Sequence, residues 1–464
     1  MIRALTWGLL SALFVTAGCS RPVPDPDTSK ELVVVTRYEP GAYFLDSDDK
    51  ASGFTYELIE AFAAKQGWSV EWKQSNSYSD LFSQAKDHKT HLIAANLISD
   101  SVIEQGLKQG PTLYQTRVVV VTSQNTPRIE NLATLAKLRL AVMTDTGHQS
   151  LLEAAQRKYP KLQWTALDGV FPEDLFTRLD AGEFDGIVVN EKDFDLARHQ
   201  YPALRIAYVF AKEKAITWAM PYPVNSRLAA KLNQFFIDAR RNDLLKNTYE
   251  RYYGHIKRLE SGDVEGIHKT RLSVLPRFRK HFHAAQDATG VDWRLLGAIG
   301  YQESKWDPFA TSPTGVRGLM MLTGQTADRM GVTDRLDARQ SIMAGARYLV
   351  LLKDTLPERI PEPDRTWLAL AAYNQGQGHL EDARRIAQAK GMNPDSWADV
   401  KQALPLLARG GYKGVTRYGY ARGGEAVIFV ESIRNYYDIL RLLEPEYKPY
   451  LSSRATRKLR LALN

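Results

Sequence analysis

The sequence predicts a multidomain chain, an α/β half followed by an all-α half. Three observations carry that reading. The chain has 464 residues, more than one ordinary core accommodates. From Glu31 to about Ile256, short apolar runs alternate with amphipathic stretches. From about Thr270 onward only helical patterns remain, many of them stopping at Gly or before Pro.

The first element is the N-terminus, "MIRALTWGLLSALFVTAGCS". Arg3 precedes an apolar stretch, Leu5 to Val15, of signal-peptide length and too short to span a bilayer. Thr16, Ala17 and Gly18 then lead to Cys19, the chain's one cysteine. This arrangement resembles a bacterial lipoprotein signal, in which the cysteine becomes the lipidated first residue. Plain secretion with an incidental cysteine is the alternative. Residues 1–18 are thus expected to be a signal peptide and 19–30, with Pro22, Pro24 and Pro26, a tether. The expected setting is the periplasmic face of an outer membrane. A single cysteine also excludes an intrachain disulfide.

The next elements are strands and helices of the α/β half. "ELVVVTRY", "WSVEWKQ", "HLIAANLI", "RVVVVTS", "RLAVMTDTG", "GIVVNE" and "LRIAYVF" read as strands, and "GFTYELIEAFAAKQG" reads as an amphipathic helix. Alternation of this kind predicts mainly parallel sheets. "GFTYELIEAFA", "GPTLYQTRVVVVT", "LRLAVMTDTG" and "LDAGEFDGIVVNE" come in the order found in the family 3 periplasmic solute-binding proteins, which this half resembles. That resemblance implies two lobes around a ligand cleft, a non-catalytic domain over residues 31–269, and Tyr56, Thr144 and Asn190 as cleft residues. The pairing of this half with the one that follows is the sole motive for expecting it to regulate the second half by binding a muropeptide or amino acid. Two departures stand against an ordinary amino-acid receptor. Ile98 to Gly106 lacks the usual carboxylate-binding arginine, and Asn190 stands near the usual amine-binding aspartate. Each charge-assisted hydrogen bond lost is worth roughly 1.5–3 kcal/mol.

"HIKRLESGDVEGIHKT" is the expected boundary, with the second domain taken as 270–464. In that half, "DWRLLGAIGYQES" places Glu303 four residues after Ile299 and eight after Leu295, on the apolar face of a helix. A carboxyl group there loses solvation and holds its proton more tightly. Such a group suits general-acid work on a leaving oxygen. A frayed helix end with Glu303 in water is the plain alternative. Asp307 follows at helical spacing, but Pro308 disfavours helix there, so a turn is expected and no second carboxylate beside Glu303.

"YQES", "TGVRGLMMLT", "LALAAYNQGQG" and "RYGYARGGEAVIFVES" together resemble the soluble-lytic-transglycosylase family, with its goose-lysozyme-like helical fold. The resemblance implies peptidoglycan glycan strands as partner and cleavage of the β-1,4 bond between N-acetylmuramic acid and N-acetylglucosamine, without water; a hydrolytic lysozyme-type muramidase and a non-catalytic periplasmic receptor with a glycan-holding helical domain are the alternatives. It implies Glu303 as the catalytic acid and base, and Ser304, Met320, Tyr373, Asn374 and Glu425 as substrate-binding residues. Met321 departs from the family's usual Gln, so that contact is not carried over.

No cofactor is expected. The chain has no His-Glu-x-x-His, and one cysteine cannot build a thiolate metal site. The formal net charge of +8 favours an anionic partner. Basic and aromatic residues are dispersed, which argues against nucleic acid.

Overall fold

The computed structural model describes residues 22–39, 41–45, 51–256, 259, 261–313, 315–408 and 415–448. Cys19 and the expected signal peptide lie outside the described residues. The strands are β1 (Glu31–Thr36), β2 (Phe44–Leu45), β3 (Ala51–Ser52), β4 (Ser69–Gln74), β5 (Leu92–Ile98), β6 (Lys108–Ser123), β7 (Leu140–Met143), β8 (Trp164–Leu167), β9 (Gly186–Asn190) and β10 (Leu204–Met220). The helices of the first half are α1 (Pro26–Ser29), α2 (Phe54–Gln66), α3 (Tyr78–Lys86), α4 (Ser99–Glu104), α5 (Leu132–Leu135), α6 (Gly147–Lys158), α7 (Pro172–Asp180), α8 (Glu191–Ala197), α9 (Ser226–Arg241) and α10 (Leu244–Tyr253). Those of the second half are α11 (Ser261–Ser273), α12 (Arg279–Thr289), α13 (Trp293–Ser304), α14 (Gly324–Arg329), α15 (Ala338–Thr355), α16 (Asp364–Gln375), α17 (Gln377–Ala389), α18 (Trp397–Ala403) and α19 (Gly423–Leu443).

Eight strands form one sheet in the order β4-β1-β5-β10-β6-β9-β7-β8. The apolar runs are continuous because helices cover both faces. Val118 and Val120 pack into one core cluster, while Val119 and Val121 pack into the other. The expected parallel pairing holds at each end of the sheet, where β1 pairs with β4 and β5, and β7 with β8 and β9. In the middle, β6 and β10 run antiparallel and are longer than their apolar cores suggested. β10 pairs with β5 through Ile216, Thr217 and Ala219, whereas β6 pairs with β9 through residues 118–121. The two strands therefore belong to both lobes, and one of the five shifts in their mutual register, between Ala211 and Lys214, falls where pairing with β9 gives way to pairing with β5.

Two expectations need correction. The segment read as a tether carries a short helix and is tied to the first half, where the Val23 N–H bonds to the His88 carbonyl at 3.0 Å. Asp25 caps α1, Asn225 donates to Asp25, and Asp27 pairs with Lys231. Of the three prolines that suggested an extended linker, Pro26 starts this short helix. The boundary at 269/270 falls inside α11. Val264 and Ile267 of α11 bury in the helical core, as does Leu259, whereas Ile256 belongs to the first half. Glycines and charges in α11 obscured its pair of apolar residues three apart.

The halves meet through α10 against α18 and α19. Lys401 pairs with Glu250 at 2.5 Å, and Lys246 with the buried Asp399. Arg434 donates to the carbonyls of Glu250 (2.9 Å) and Arg251 (3.0 Å), near the end of α10. Asn435 donates to the carbonyl of His255 at 2.8 Å. In turn α19 packs on α13, the helix that carries Glu303.

Candidate active site

Residues Trp293 to Tyr301 of α13 are all buried, so this helix runs through the middle of its domain. Asp292 caps it, its side chain accepting from the Arg294 N–H at 2.8 Å. The helix stops because Lys305 and Trp306 adopt left-handed backbone, with φ of 55° and 63°. Fully buried Trp306 folds back and donates from its indole to the carbonyl of Gly297 at 2.8 Å. Glu303 is thereby fixed in the last turn of a rigid helix, partly buried in its domain.

Burial alone pushes the Glu303 carboxyl up to about 8. No carboxylate or cation contributes to that shift, and no described residue hydrogen-bonds to the group. Asp307 is exposed and accepts from the Phe309 N–H at 2.9 Å, closing the expected turn. Among the described residues, Glu303 has no partner carboxylate.

The predicted neighbours divide into three kinds. Tyr373, near the end of α16, is close enough for the Glu303 charge to act on it. Burial first, then that charge, hold its phenol well above the ordinary range. Its ring lies against Tyr348 and Phe429, and its hydroxyl donates to the Met320 carbonyl at 3.1 Å. Asn374 is exposed, its amide open to a ligand. Glu425 is exposed in the first turn of α19, 3.3 Å from Arg422.

Ser304 and Met320 are placed differently from the expectation. The Ser304 hydroxyl donates to the Leu319 carbonyl at 2.8 Å, tying α13 to the following loop. The Met320 side chain is fully buried against Gly300 and Gly345, so it is a core group and not a sugar contact. Its backbone does the positioning, through Tyr373 and a 3.1 Å bond from its N–H to the Ser341 hydroxyl. The preceding glycine explains the loop. Gly318 has φ of 85°, and a Cβ there would lie 1.8 Å from the Arg335 carbonyl oxygen. Sequence reading missed Gln375, whose amide donates to the Arg422 carbonyl at 2.6 Å and joins α16 to the start of α19.

Residues 280–395 match the family described as "Transglycosylase SLT domain", and residues 32–255 match "Bacterial extracellular solute-binding proteins, family 3". A relative from Thiobacillus denitrificans, named membrane-bound lytic murein transglycosylase F, is 52% identical over 446 residues, covering 96% of this chain and 94% of its own. The chain belongs to the membrane-bound lytic murein transglycosylase F family. Members from Nitrosospira multiformis (43% identical, covering 91% of this chain and 88% of theirs) and Methylobacillus flagellatus (40%, covering 97% of each) extend the match. Among solved structures, an ancestral arginine-binding protein bound to arginine is 18% identical with a TM-score of 0.44, covering 48% of this chain and 98% of its own.

In this member of the transglycosylase F family, the solute-binding match ends at residue 255, close to where packing passes to the helical core. Among the described residues, the three expected cleft residues have separate partners. Tyr56 packs against Tyr43 and Trp72 in the first lobe. Thr144 follows β7 and bonds through its N–H to Leu167. Asn190 is buried between His148 (2.9 Å) and Asp193 (3.2 Å). The charged groups that gather at the lobe junction are others. Arg37, 1% exposed, lies over the Tyr78 ring and donates across the junction to the Val170 carbonyl at 2.8 Å. Glu39 accepts from the Tyr78 hydroxyl at 2.6 Å and from the Asn96 N–H at 3.1 Å. Burial, then the field of Glu39, raises Asp193 to about 8. Burial likewise lifts Glu173 to about 7. An arginine and three acidic groups thus gather at the junction from positions other than 98–106 and 190, the acids held toward their protonated forms by burial. A signal existed for Arg37: it directly follows the carboxyl end of a parallel strand, where ligands of α/β sheets bind.

Proposed function

We propose that this chain is an exported peptidoglycan lytic transglycosylase in which Glu303 is both acid and base. The observation that carries this reading is a lone carboxyl group, raised to about 8 by burial, with no second carboxylate beside it among the described residues. Ordinary glycosidases use two carboxyls, about 5–5.5 Å or about 6.5–9.5 Å apart. One carboxyl group suffices when the substrate supplies the nucleophiles. Protonated Glu303 gives its proton to the oxygen between N-acetylmuramic acid and N-acetylglucosamine, and the C1–O bond breaks with its electron pair leaving on that oxygen. The 2-acetamido oxygen of the muramic sugar stabilises the cationic C1. Glu303, now a carboxylate, takes the proton of the 6-hydroxyl, whose oxygen bonds to C1. The product is a 1,6-anhydromuramyl end, and Glu303 is again protonated.

In this scheme Asn374 orients sugar hydroxyls or the acetamido group. Tyr373 and Ser304 act through the loop, holding Leu319 and Met320 in place. The first domain takes a small ligand, a muropeptide or an amino acid, at the lobe junction where Arg37, Glu39 and Asp193 gather. Anchoring through a lipid on Cys19, at the periplasmic face of the outer membrane, fits the N-terminal sequence. Among the described residues no helix is long and apolar enough to cross a membrane. The test is Glu303→Gln in the full chain. The fold is retained by circular dichroism, and clearing of a cell-wall suspension drops by at least the factor of about 10²–10⁴ typical of general acid–base catalysis. Near-normal clearing defeats the assignment.

A further inference from the structure

Tyr418 and Tyr420 are 61% and 70% exposed, although large aromatic side chains usually find cover. They stand on a segment that is held, not loose. Asp382, fully buried, accepts from the Arg417 N–H (2.8 and 3.0 Å) and the Tyr418 N–H (2.7 Å). Arg385 donates to the same carboxylate at 2.7 Å and holds it charged, so these backbone contacts are charge-assisted and fix the segment firmly. The far end is pinned as well. Gln375 holds the Arg422 carbonyl at 2.6 Å, and Gly423 fits so closely that a Cβ would lie 1.9 Å from the Leu404 carbonyl oxygen. The Tyr418 ring rests on Gly378, where a Cβ would come within 2.8 Å of it, and meets His379 edge-on. Arg422 lies between the Tyr420 hydroxyl and Glu425, which steadies the second ring.

Gln375, Gly378 and His379 follow directly on Tyr373 and Asn374, so this segment adjoins the proposed site. Resting on the proposed function, we propose that Tyr418 and Tyr420 form a stacking wall for the glycan strand, binding sugars beyond the pair at the cleaved bond. The C–H face of a pyranose ring is apolar and matches an open aromatic face, while its rim hydroxyls suit Arg422 and Glu425. Asp382 is a positioning residue that sets the wall at its height. Such contacts form equally in ground and transition states, so they lower KM on long strands and leave kcat unchanged.

The experiment compares the full-length wild type with Tyr420→Ala, Tyr420→Phe and the Tyr418→Ala/Tyr420→Ala double variant. Substrates are long peptide-free glycan strands and the tetrasaccharide of two disaccharide units. Tyr420→Ala raises KM on long strands roughly 2- to 10-fold, and the double variant raises it further. With kcat unchanged, the wild-type preference for long strands shrinks, and Tyr420→Phe retains it. Unchanged KM for Tyr420→Ala overturns the proposal, as does an equal loss on both substrates or a loss confined to kcat. Wild type that fails to cleave either substrate counts against the proposed function instead. Thermal melts separate misfolding of the double variant from lost binding, and the single Tyr420 variants carry the test if it misfolds.

Discussion

Tyr373 lies within the electrostatic reach of Glu303, yet its hydroxyl donates to the Met320 carbonyl and not to that carboxyl group. The consequence is chemical. A phenol donating to Glu303 would stabilise the carboxylate and lower its proton affinity. Turned toward the loop, it braces the backbone and leaves the acid free to hold its proton near neutral pH.

The first prediction is a pH limit on activity. The scheme needs Glu303 protonated at the start, and burial places its titration at about 8. The rate constant kcat/KM is expected to fall tenfold per pH unit above that value. A pH–rate profile on soluble glycan strands checks it.

Stability should change with pH in the opposite sense to a salt-bridged carboxylate. In the folded chain Glu303 holds its proton to about 8, whereas unfolded it titrates near 4.5. Between those values the folded state binds more protons, so the group's favourable contribution is complete below the lower value and lost as pH rises through the upper one. Glu303→Gln removes this dependence. The difference in Tm, variant minus wild type, is expected to grow from about pH 4.5 to about pH 8 and then level off.

Tyr373→Phe keeps the contacts with Tyr348 and Phe429 and deletes one hydrogen bond. A stability loss of about 0.5–1.5 kcal/mol is expected in urea unfolding. Activity falls because the Met320 backbone loses its brace, and the pH limit set by Glu303 stays in place.

Gly318→Ala forces a side chain into left-handed backbone and against the Arg335 carbonyl. The backbone conformation alone costs of order 1–3 kcal/mol, and the clash adds to it. Reduced Tm together with a drop in kcat is the expected outcome, since the loop between Glu303 and Tyr373 must shift.

Arg434→Met tests the joint between the halves. Arg434 is 3% exposed, pairs with Glu431 at 3.1 Å and bonds to two α10 carbonyls. Burial acts to raise Glu431, but Arg434 and Lys401 outweigh it and hold that carboxyl below its ordinary value. Removing one member of such a pair costs about 3–5 kcal/mol, tempered here by Lys401. A lowered Tm and a smaller unfolding free energy in urea are the expected readouts.

Much of this architecture was legible in residue patterns. Continuous valine runs mark strands covered on both faces, and the spacing Leu295, Ile299, Glu303 marks a buried acid. Asp307-Pro308 marks the turn that removes a second carboxylate. What escaped depends on long-range contact. Packing alone assigns α11 to the helical half, because only Val264 and Ile267 of its apolar residues are buried, while Leu272 is exposed. The inward side chain of Met320 follows from the small residues Gly300 and Gly345, distant in sequence. The charge cluster of Arg37, Glu39, Glu173 and Asp193 is assembled from both lobes, so no local motif announces it.

The most direct test of a single acid working without water is the mass of the muropeptides released from purified peptidoglycan. Wild type is expected to release products with anhydro ends, each lighter by one water than its hydrolysed counterpart, and Glu303→Gln to release almost none. Products that have gained water, or anhydro products from Glu303→Gln at the wild-type rate, would contradict the account.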